Sequence, residues 1–184
     1  QPEVAADCVL RSGAKVPDAV LQEWKAKWLP LLTDPTAEPR PEARAAIGRA
    51  LGRLKLDDRA GVGVRKADGV PDIHWVEIPG GTFRYQGKQD KVETFYMARY
   101  PVTNAQFDAF LQAEDGYRQD CWWEGMTNPY REREEPTWSE GNHPRETVNW
   151  YEAMAFCAWL SKRLGYEVRL PREQEWERAA AYTD

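Results

Sequence analysis

The chain has 184 residues, of which 42% are hydrophobic and 30% charged, a composition typical of a packed domain of ordinary size with a small addition. Its formal net charge of −5 comes from interspersed Arg and Glu residues. Because it lacks a basic patch for phosphate backbones, we expect no nucleic acid as a partner. No run approaches the roughly 20 consecutive apolar residues that a membrane helix needs, so we also expect no membrane association.

The cysteines and the two chain ends indicate the setting of the protein. Cys8, Cys121 and Cys157 are an odd number without a short pairing motif, which favours a reducing compartment over a disulfide framework. The first residues show no export signal, so we predict a cytoplasmic location. The chain begins at Gln1 and ends at Asp184 directly after a helix-like run. We therefore expect it to be a piece of a longer protein.

The first third of the chain shows helical periodicity. Apolar residues recur at three- and four-residue intervals from Asp18 to Leu32, which predicts an amphipathic helix. Three prolines follow, and a second helical pattern covers Ala43 to Leu54. We predict a helical appendage over residues 1–56. Residues 57–72 are rich in glycine and poor in large apolar residues, which predicts an extended connector.

Short strands are predicted after residue 72, where the residue pattern changes. The segments 74–79 and 82–85 are expected to be strands around the Gly80–Gly81 turn, and Lys91 to Tyr100 a third strand, because they are rich in β-branched and aromatic residues. The alternation from Glu167 to Leu170 predicts one more strand.

Three helices are predicted in the same part of the chain. The first covers Thr103 to Leu111, and the second runs from Trp150 to Leu164 and stops at Gly165. Each start carries residues at capping-box spacing, namely Thr103 with Gln106 and Asn149 with Glu152. Pro171 precedes the third helix, which carries Glu173, Glu175 and Trp176. The predicted fold class is therefore α+β.

Four segments in this order carry a resemblance to a known family. They are Trp75-Val-Glu-Ile-Pro-Gly-Gly-Thr-Phe83, Tyr100-Pro-Val-Thr-Asn-Ala-Gln-Phe107, Val148-Asn-Trp-Tyr-Glu-Ala-Met-Ala-Phe-Cys-Ala-Trp-Leu160 and Arg169-Leu-Pro-Arg-Glu-Gln-Glu-Trp-Glu177. Each combines several uncommon residues at set offsets. Together they resemble the formylglycine-generating enzyme and sulfatase-modifying-factor family.

The resemblance implies a variant C-type-lectin fold, with short twisted sheets, flanking helices and much irregular backbone. Irregular backbone needs side-chain partners for its polar groups, so we expect Asn104 and Glu175 to bond to loops. We expect four tryptophans to fill large gaps in the core, namely Trp75, Trp150, Trp159 and Trp176.

The resemblance covers only the front of the family's module, residues 73–184 here. In the formylglycine-generating enzymes, the paired active-site cysteines and the calcium-binding loops lie in the C-terminal half, beyond the third helix. We therefore expect no catalytic residue and no cofactor within this chain, with copper or calcium only in that half. The fold should be incomplete in this chain, and the C-terminal half of the same module its partner. The sequence departs from the family pattern in the segment Arg84–Gly87 and at Arg172.

The residues that could carry chemistry favour structural roles. Cys157 falls on the predicted inner face of the second helix, so we interpret it as a core residue. Cys121 is less constrained, and Cys8 is interpreted as incidental. His74 and His143 have no carboxylates at ligand spacing, so no zinc or iron site is predicted.

One aromatic loop, Asp115 to Arg145, carries the only candidate site. Its candidate ligand-binding residues are Trp122, Trp123, Tyr130 and Trp138. Rigid aromatic side chains supply contact area at low entropy cost, so they could form a ligand surface. Alternatively they pack beneath the loop and order it, and this is the interpretation we favour.

Three functions remain open from the sequence. The favoured one is a non-catalytic ligand-binding or display scaffold for a protein or other macromolecule, as in the variable proteins of diversity-generating retroelements. The second is an oxidase that converts a sulfatase cysteine to formylglycine. The third is a sensor module of a multidomain regulatory protein. Fold alone does not decide between them.

Overall fold

The computed structural model describes residues 1–127, 129, 131 and 133–181. In these ranges the chain forms an α+β structure of six α-helices, one 3-10 turn and two small antiparallel sheets. None of the helices in the described ranges is both long and apolar enough to cross a bilayer.

Three helices make up the first part of the chain: α1 Pro2–Ser12, α2 Asp18–Thr33 and α3 Pro41–Arg53. The two amphipathic helices predicted here are confirmed as α2 and α3. Both α1 and α2 pack on α3, around the buried side chains of Trp28, Ile47 and Leu51. The helix α1 was not predicted separately; Gly13 ends it with a left-handed φ of 63°.

Residues 57–72 form a series of turns that lie against the second half of the chain. Val62 and Val70 are buried there, and Val70 belongs to the main core. The side-chain amide of Gln106 donates to the carbonyls of Gly61 at 3.1 Å and Asp72 at 2.6 Å. The hydroxyl of Thr103 donates to the carbonyl of Val62 at 2.7 Å. The predicted division of the chain at residues 56 and 72 stays a prediction.

Four short strands form two nested pairs: β1 Trp75–Ile78, β2 Gly81–Tyr85, β3 Lys88–Val92 and β4 Phe95–Ala98. In the sequence, the hairpin β2–β3 comes between β1 and β4, and β1 and β4 pair with each other in a separate sheet. The prediction of one strand from Lys91 to Tyr100 is therefore wrong. β-Propensity remains high throughout that stretch, but the chain passes from one sheet to the other at residues 93–94, which a local pattern does not reveal.

The remaining helices are α4 Asn104–Gln112, α5 Trp150–Leu164 and α6 Glu173–Ala180, with a 3-10 turn at Asp120–Trp123. Both predicted capping boxes form, and Gly165 ends α5 with a φ of 77°. The strand predicted from Glu167 to Leu170 is wrong, since no strand forms there in the described residues. Its Val168 amide instead donates to the Ser161 hydroxyl at 2.7 Å.

The main core consists of aromatic side chains between α4 and α5. The Phe107 and Phe156 rings stack with centroids 5.6 Å apart, and Phe110 packs on Trp159 at 5.3 Å. Trp159 is only 1% exposed. Such close aromatic contacts bury much apolar area with few residues, which lets two short helices form a stable centre.

Two of the four tryptophans that we predicted to fill the core do not. Trp150 is 58% exposed and Trp176 is 60% exposed, and Trp75 is only partly buried. Trp176 is exposed because α6 contacts the β2–β3 hairpin through another side of the helix. There Glu173 accepts a hydrogen bond from Gln86, and the Arg178 guanidinium lies 5.9 Å from the Phe83 ring.

These placements predict different stability effects for two tryptophans. Trp159→Ala should lower the free energy of unfolding by about 3–5 kcal/mol because it opens a cavity in the core. Trp176→Ala should change it by less than about 0.5 kcal/mol because the ring is largely in solvent. Urea unfolding of the two variants beside the parent chain measures both. A larger loss for Trp176→Ala than for Trp159→Ala would contradict the placement of α6.

Candidate functional site: an anchored loop with an exposed tryptophan

The structure separates the four aromatic residues predicted to form a ligand surface. Trp123 is 3% exposed and belongs to the core, and its indole N–H donates to the Tyr117 carbonyl at 3.1 Å. Trp122 is half-buried and donates to the Asp115 carbonyl at 2.6 Å. Trp138 is 47% exposed. Tyr130 lies outside the described residues. Trp122 and Trp123 therefore pack under the loop, and Trp138 alone of the described three is an exposed residue.

Trp138 lies at the start of a segment, residues 138–146, that we call the Trp138 loop. Its indole ring stacks on the His143 imidazole, with centroids 5.6 Å apart and planes at 25°. The Trp138 amide donates to the Glu146 carboxylate at 3.1 Å. The ring is thus exposed to solvent while its backbone is held.

The first turn of α4 holds the loop from below. The side-chain amide of Asn104, which is 2% exposed, donates to the carbonyls of Trp138 at 2.6 Å and Glu140 at 3.0 Å. The backbone amides of Asn104 and Ala105 donate to the carbonyls of His143 and Gly141, at 2.9 and 2.8 Å. The first amides of a helix have no partner within it, so the loop carbonyls satisfy them. The expectation that Asn104 bonds to a loop is confirmed.

The helix α3 and the turn after it hold the loop from the other side. Arg53 donates to Glu140 at 2.9 Å, and Asn142 donates to the Gly48 carbonyl at 2.9 Å and to Asp57 at 2.7 Å. A Cβ atom at Gly52 would lie 2.0 Å from the Asn142 side-chain oxygen, so a larger residue at this position would displace the Asn142 side chain from its present place. The loop therefore joins the first three helices to the aromatic core.

The charge of Asp57 supports this junction. Burial acts to raise the pKa of the Asp57 carboxyl, but hydrogen bonds from Arg59 and Asn142 outweigh it and lower the pKa. The carboxylate therefore stays ionised near neutral pH and keeps accepting from Asn142.

Two polar atoms near the loop have no hydrogen-bond partner among the described residues. They are the side-chain oxygen of Asn104 and the Nε atom of Arg145. The Arg145 guanidinium lies 5.0 Å from the Phe107 ring and donates to the Glu134 carbonyl at 2.9 Å. These atoms keep hydrogen-bonding capacity that the described residues do not use.

A second polar anchor orders the segment before α6. Arg169 donates twice to the Glu175 carboxylate, both at 2.7 Å, and the Arg172 amide donates to the same carboxylate at 2.7 Å. These charge-assisted bonds lower the pKa of Glu175 to about 2. The expectation that Glu175 bonds to irregular backbone is confirmed.

The cysteines occupy separate places. Cys157 is 8% exposed, and burial raises the pKa of its thiol to about 11, so it is a core residue as interpreted from the sequence. Cys8 and Cys121 are exposed, on α1 and on the 3-10 turn. Within the described ranges, no three His, Cys, Asp or Glu side chains lie together in a way that could hold a metal ion.

The fold and its loop anchors define an α+β module in which buried polar side chains support irregular backbone. A family model, the sulfatase-modifying factor enzyme 1-like domain, matches residues 64–184, so the chain belongs to this family. This confirms the resemblance seen in the four sequence segments.

Characterised relatives support the same assignment. The formylglycine-generating enzyme of Thermomonospora curvata is 30% identical over 151 residues, 57% of this chain and 48% of that protein. The hercynine oxygenase of Mycolicibacterium thermoresistibile is 34% identical over 109 residues, 50% of this chain and 23% of that protein. The formylglycine-generating enzyme of Streptomyces coelicolor is 28% identical over 181 residues, 78% of this chain and 51% of that protein. The chain thus spans about half or less of these relatives. No solved structure matches it.

Sequence reasoning missed the residues that complete the Trp138 loop. It treated His143 as an ordinary loop histidine and did not consider Asn142 or Glu140. The available signal was the compact run Gly141-Asn-His-Pro144, which is typical of a turn whose side chains bond to nearby backbone.

We predict that Asn104 contributes more to stability than its size suggests. Asn104→Leu should lower the free energy of unfolding by about 2–4 kcal/mol, because one buried and one part-buried carbonyl lose their donor. Amide exchange at Ala105 and His143 should accelerate as the loop loosens. Gln119→Leu is the control, since it removes one exposed bond, to the Glu114 carbonyl, and should cost little. Equal stability and equal exchange in Asn104→Leu and the parent chain would show that Asn104 does not anchor the loop.

Proposed function

We propose that this chain is part of a non-catalytic ligand-binding module with a C-type-lectin-like variant fold, and that Trp138 is its main contact residue. The observation that carries this proposal is the combination of a 47% exposed indole ring with a backbone held by a 2% exposed asparagine. The family assignment supports the fold in outline, and the exposed Trp138 ring is the basis for binding.

The physical case rests on preorganisation. A tryptophan held by its backbone and stacked on His143 loses little conformational freedom when a ligand covers it. Its exposed face can bury a large apolar area, which is why tryptophan is common among residues that dominate binding energy. Desolvating Asn104 is unfavourable by itself, and its two hydrogen bonds to loop carbonyls offset that cost.

The proposal includes a second part of the module outside this chain. Trp150 and Trp176 are each more than half exposed, and large exposed aromatic surface is typical of a face that another segment covers. We propose that the remainder of the module packs on these two exposed side chains. Copper or calcium, where the whole protein uses either, would bind to residues of that remainder.

The binding role predicts a loss specific to Trp138. The labelled chain is applied to an array of immobilised glycans and peptides, and Trp138→Ala should weaken the strongest signal by at least about tenfold. Trp176→Ala is the matched control, because it removes an exposed tryptophan of similar accessibility on another element and should leave that signal unchanged. Binding that Trp138→Ala leaves intact, or an array without any signal, would contradict the proposal.

A second candidate is the formylglycine-generating oxidase. It is favoured by one observation, the 30% identity to an enzyme of that name. In the oxidase candidate the chemistry would lie outside these residues, since the thiol of Cys157 is buried and the other two cysteines are exposed on separate elements.

We predict that the purified chain produces no formylglycine from a sulfatase-derived cysteine peptide when copper and oxygen are supplied. Cys157 is the buried thiol, with its pKa raised to about 11, and is poorly suited to react at neutral pH. Mass spectrometry of the peptide measures the outcome, with a formylglycine-generating enzyme as positive control. An aldehyde product that disappears on chelation would favour the oxidase and overturn the non-catalytic proposal.

A further inference from the structure

A groove of about 620 Å³ lies in the first part of the chain, among α1, α2 and α3. It arises because α1 and α2 each pack against α3 and pack less closely on each other. Its lining residues belong neither to the Trp138 loop nor to the segment matched by the family model, which begins at residue 64. The groove is therefore separate from the site proposed above.

Large aromatic side chains line one side of the groove, and small alanine side chains line the other. The helix α2 contributes Trp24 and Trp28, whose rings stack with centroids 5.3 Å apart and planes at 22°. The helix α3 contributes Ala43 and Ala46, one turn apart, above the buried Ile47. Because alanine side chains are short, the space opposite the two indole rings stays open. Its volume is in the range of known small-molecule sites.

The two carboxylates that line the groove are paired with arginines, whereas a lysine that lines it is not paired in the described ranges. The carboxylate of Glu38 is bound by Arg40 through two bonds at 2.8 and 2.9 Å, and Glu3 is bound by Arg49 at 2.6 Å. Lys27 also lines the groove and has no ion pair within the described part of the chain. An apolar groove whose two carboxylates are paired with arginines, and whose Lys27 is not paired with any described carboxylate, favours a ligand with an apolar body and a negative charge.

We propose that this groove binds a small amphipathic anion, with a flat or branched apolar body against Trp24 and Trp28 and a carboxylate or sulfonate at Lys27. Trp24 is half-buried and stacks on the buried Trp28, so it offers aromatic surface to the groove, on which an aromatic body packs better than a linear chain does. The volume of about 620 Å³ is that of a site for a single small molecule.

The test uses the full chain and two probes that share a ring system. One is 8-anilinonaphthalene-1-sulfonate, which is anionic, and the other is N-phenyl-1-naphthylamine, which is neutral. Both should bind at one saturable site, measured by the rise in probe fluorescence and the quenching of tryptophan emission. Ala46→Leu fills the groove and should weaken both probes at least about tenfold. Ala45→Leu adds the same side chain on the exposed side of α3 and should leave both unchanged.

The charge requirement is tested separately. Lys27→Gln should weaken the sulfonate about two- to fivefold and leave the neutral probe unchanged, as expected for one exposed charge interaction. Lys15→Gln removes an exposed charge away from the groove and is the control. If Ala46→Leu fails to fold by circular dichroism, Ala43→Leu fills the same wall one turn earlier.

Three results would overturn the proposal. One is the absence of saturable binding, and another is binding that the groove-filling variants do not weaken, which would locate the probes at other exposed aromatics such as Trp150. The third is a dimer by sedimentation that Ala46→Leu dissociates, which would show that a second copy of the chain occupies the groove. None of these measurements depends on Trp138, so failure here and failure of the proposed binding function are distinguishable.

Discussion

The side-chain amide of Asn104 is the interaction on which the arrangement of this molecule depends. It is buried at the start of α4, and it donates to two carbonyls of a loop 34 and 36 residues further along the chain. Without a donor there, the buried Glu140 carbonyl would be unpaired at a cost of about 1–3 kcal/mol. One short side chain therefore helps to fix where the backbone of the Trp138 loop runs.

The same loop connects the two parts of the chain. Its Glu140 accepts from Arg53 of α3, and its Asn142 reaches the Gly48 carbonyl in the same helix. The first three helices are thus tied to the aromatic core through polar contacts with a loop, in addition to the turns of residues 57–72. These contacts join sequence positions about half the chain apart, so they fix α3 beside the segment that carries Trp138.

Polar side chains hydrogen-bond to the irregular backbone of this protein, as neighbouring strands do in a more regular protein. Gln106 serves the 57–72 turns, Asn104 serves the Trp138 loop, and Glu175 with Arg169 serves the segment before α6. Each satisfies backbone groups that no sheet or helix pairs. This explains how a chain with only two small sheets in its described residues keeps its irregular segments in place.

Much of this protein was determined by its sequence alone. Both capping boxes and the Gly165 helix stop were predictable because the interacting groups lie within four residues of each other. The family was evident from four sequence segments, and the loop-bonding roles of Asn104 and Glu175 followed from what that resemblance implies. Tertiary structure alone decided that Trp176 faces solvent, that residues 91–100 divide between two sheets, and that residues 167–170 form no strand. Each of these depends on a neighbour distant in sequence, such as Gln86 for α6, and local periodicity carries no information about which distant surface a side chain meets.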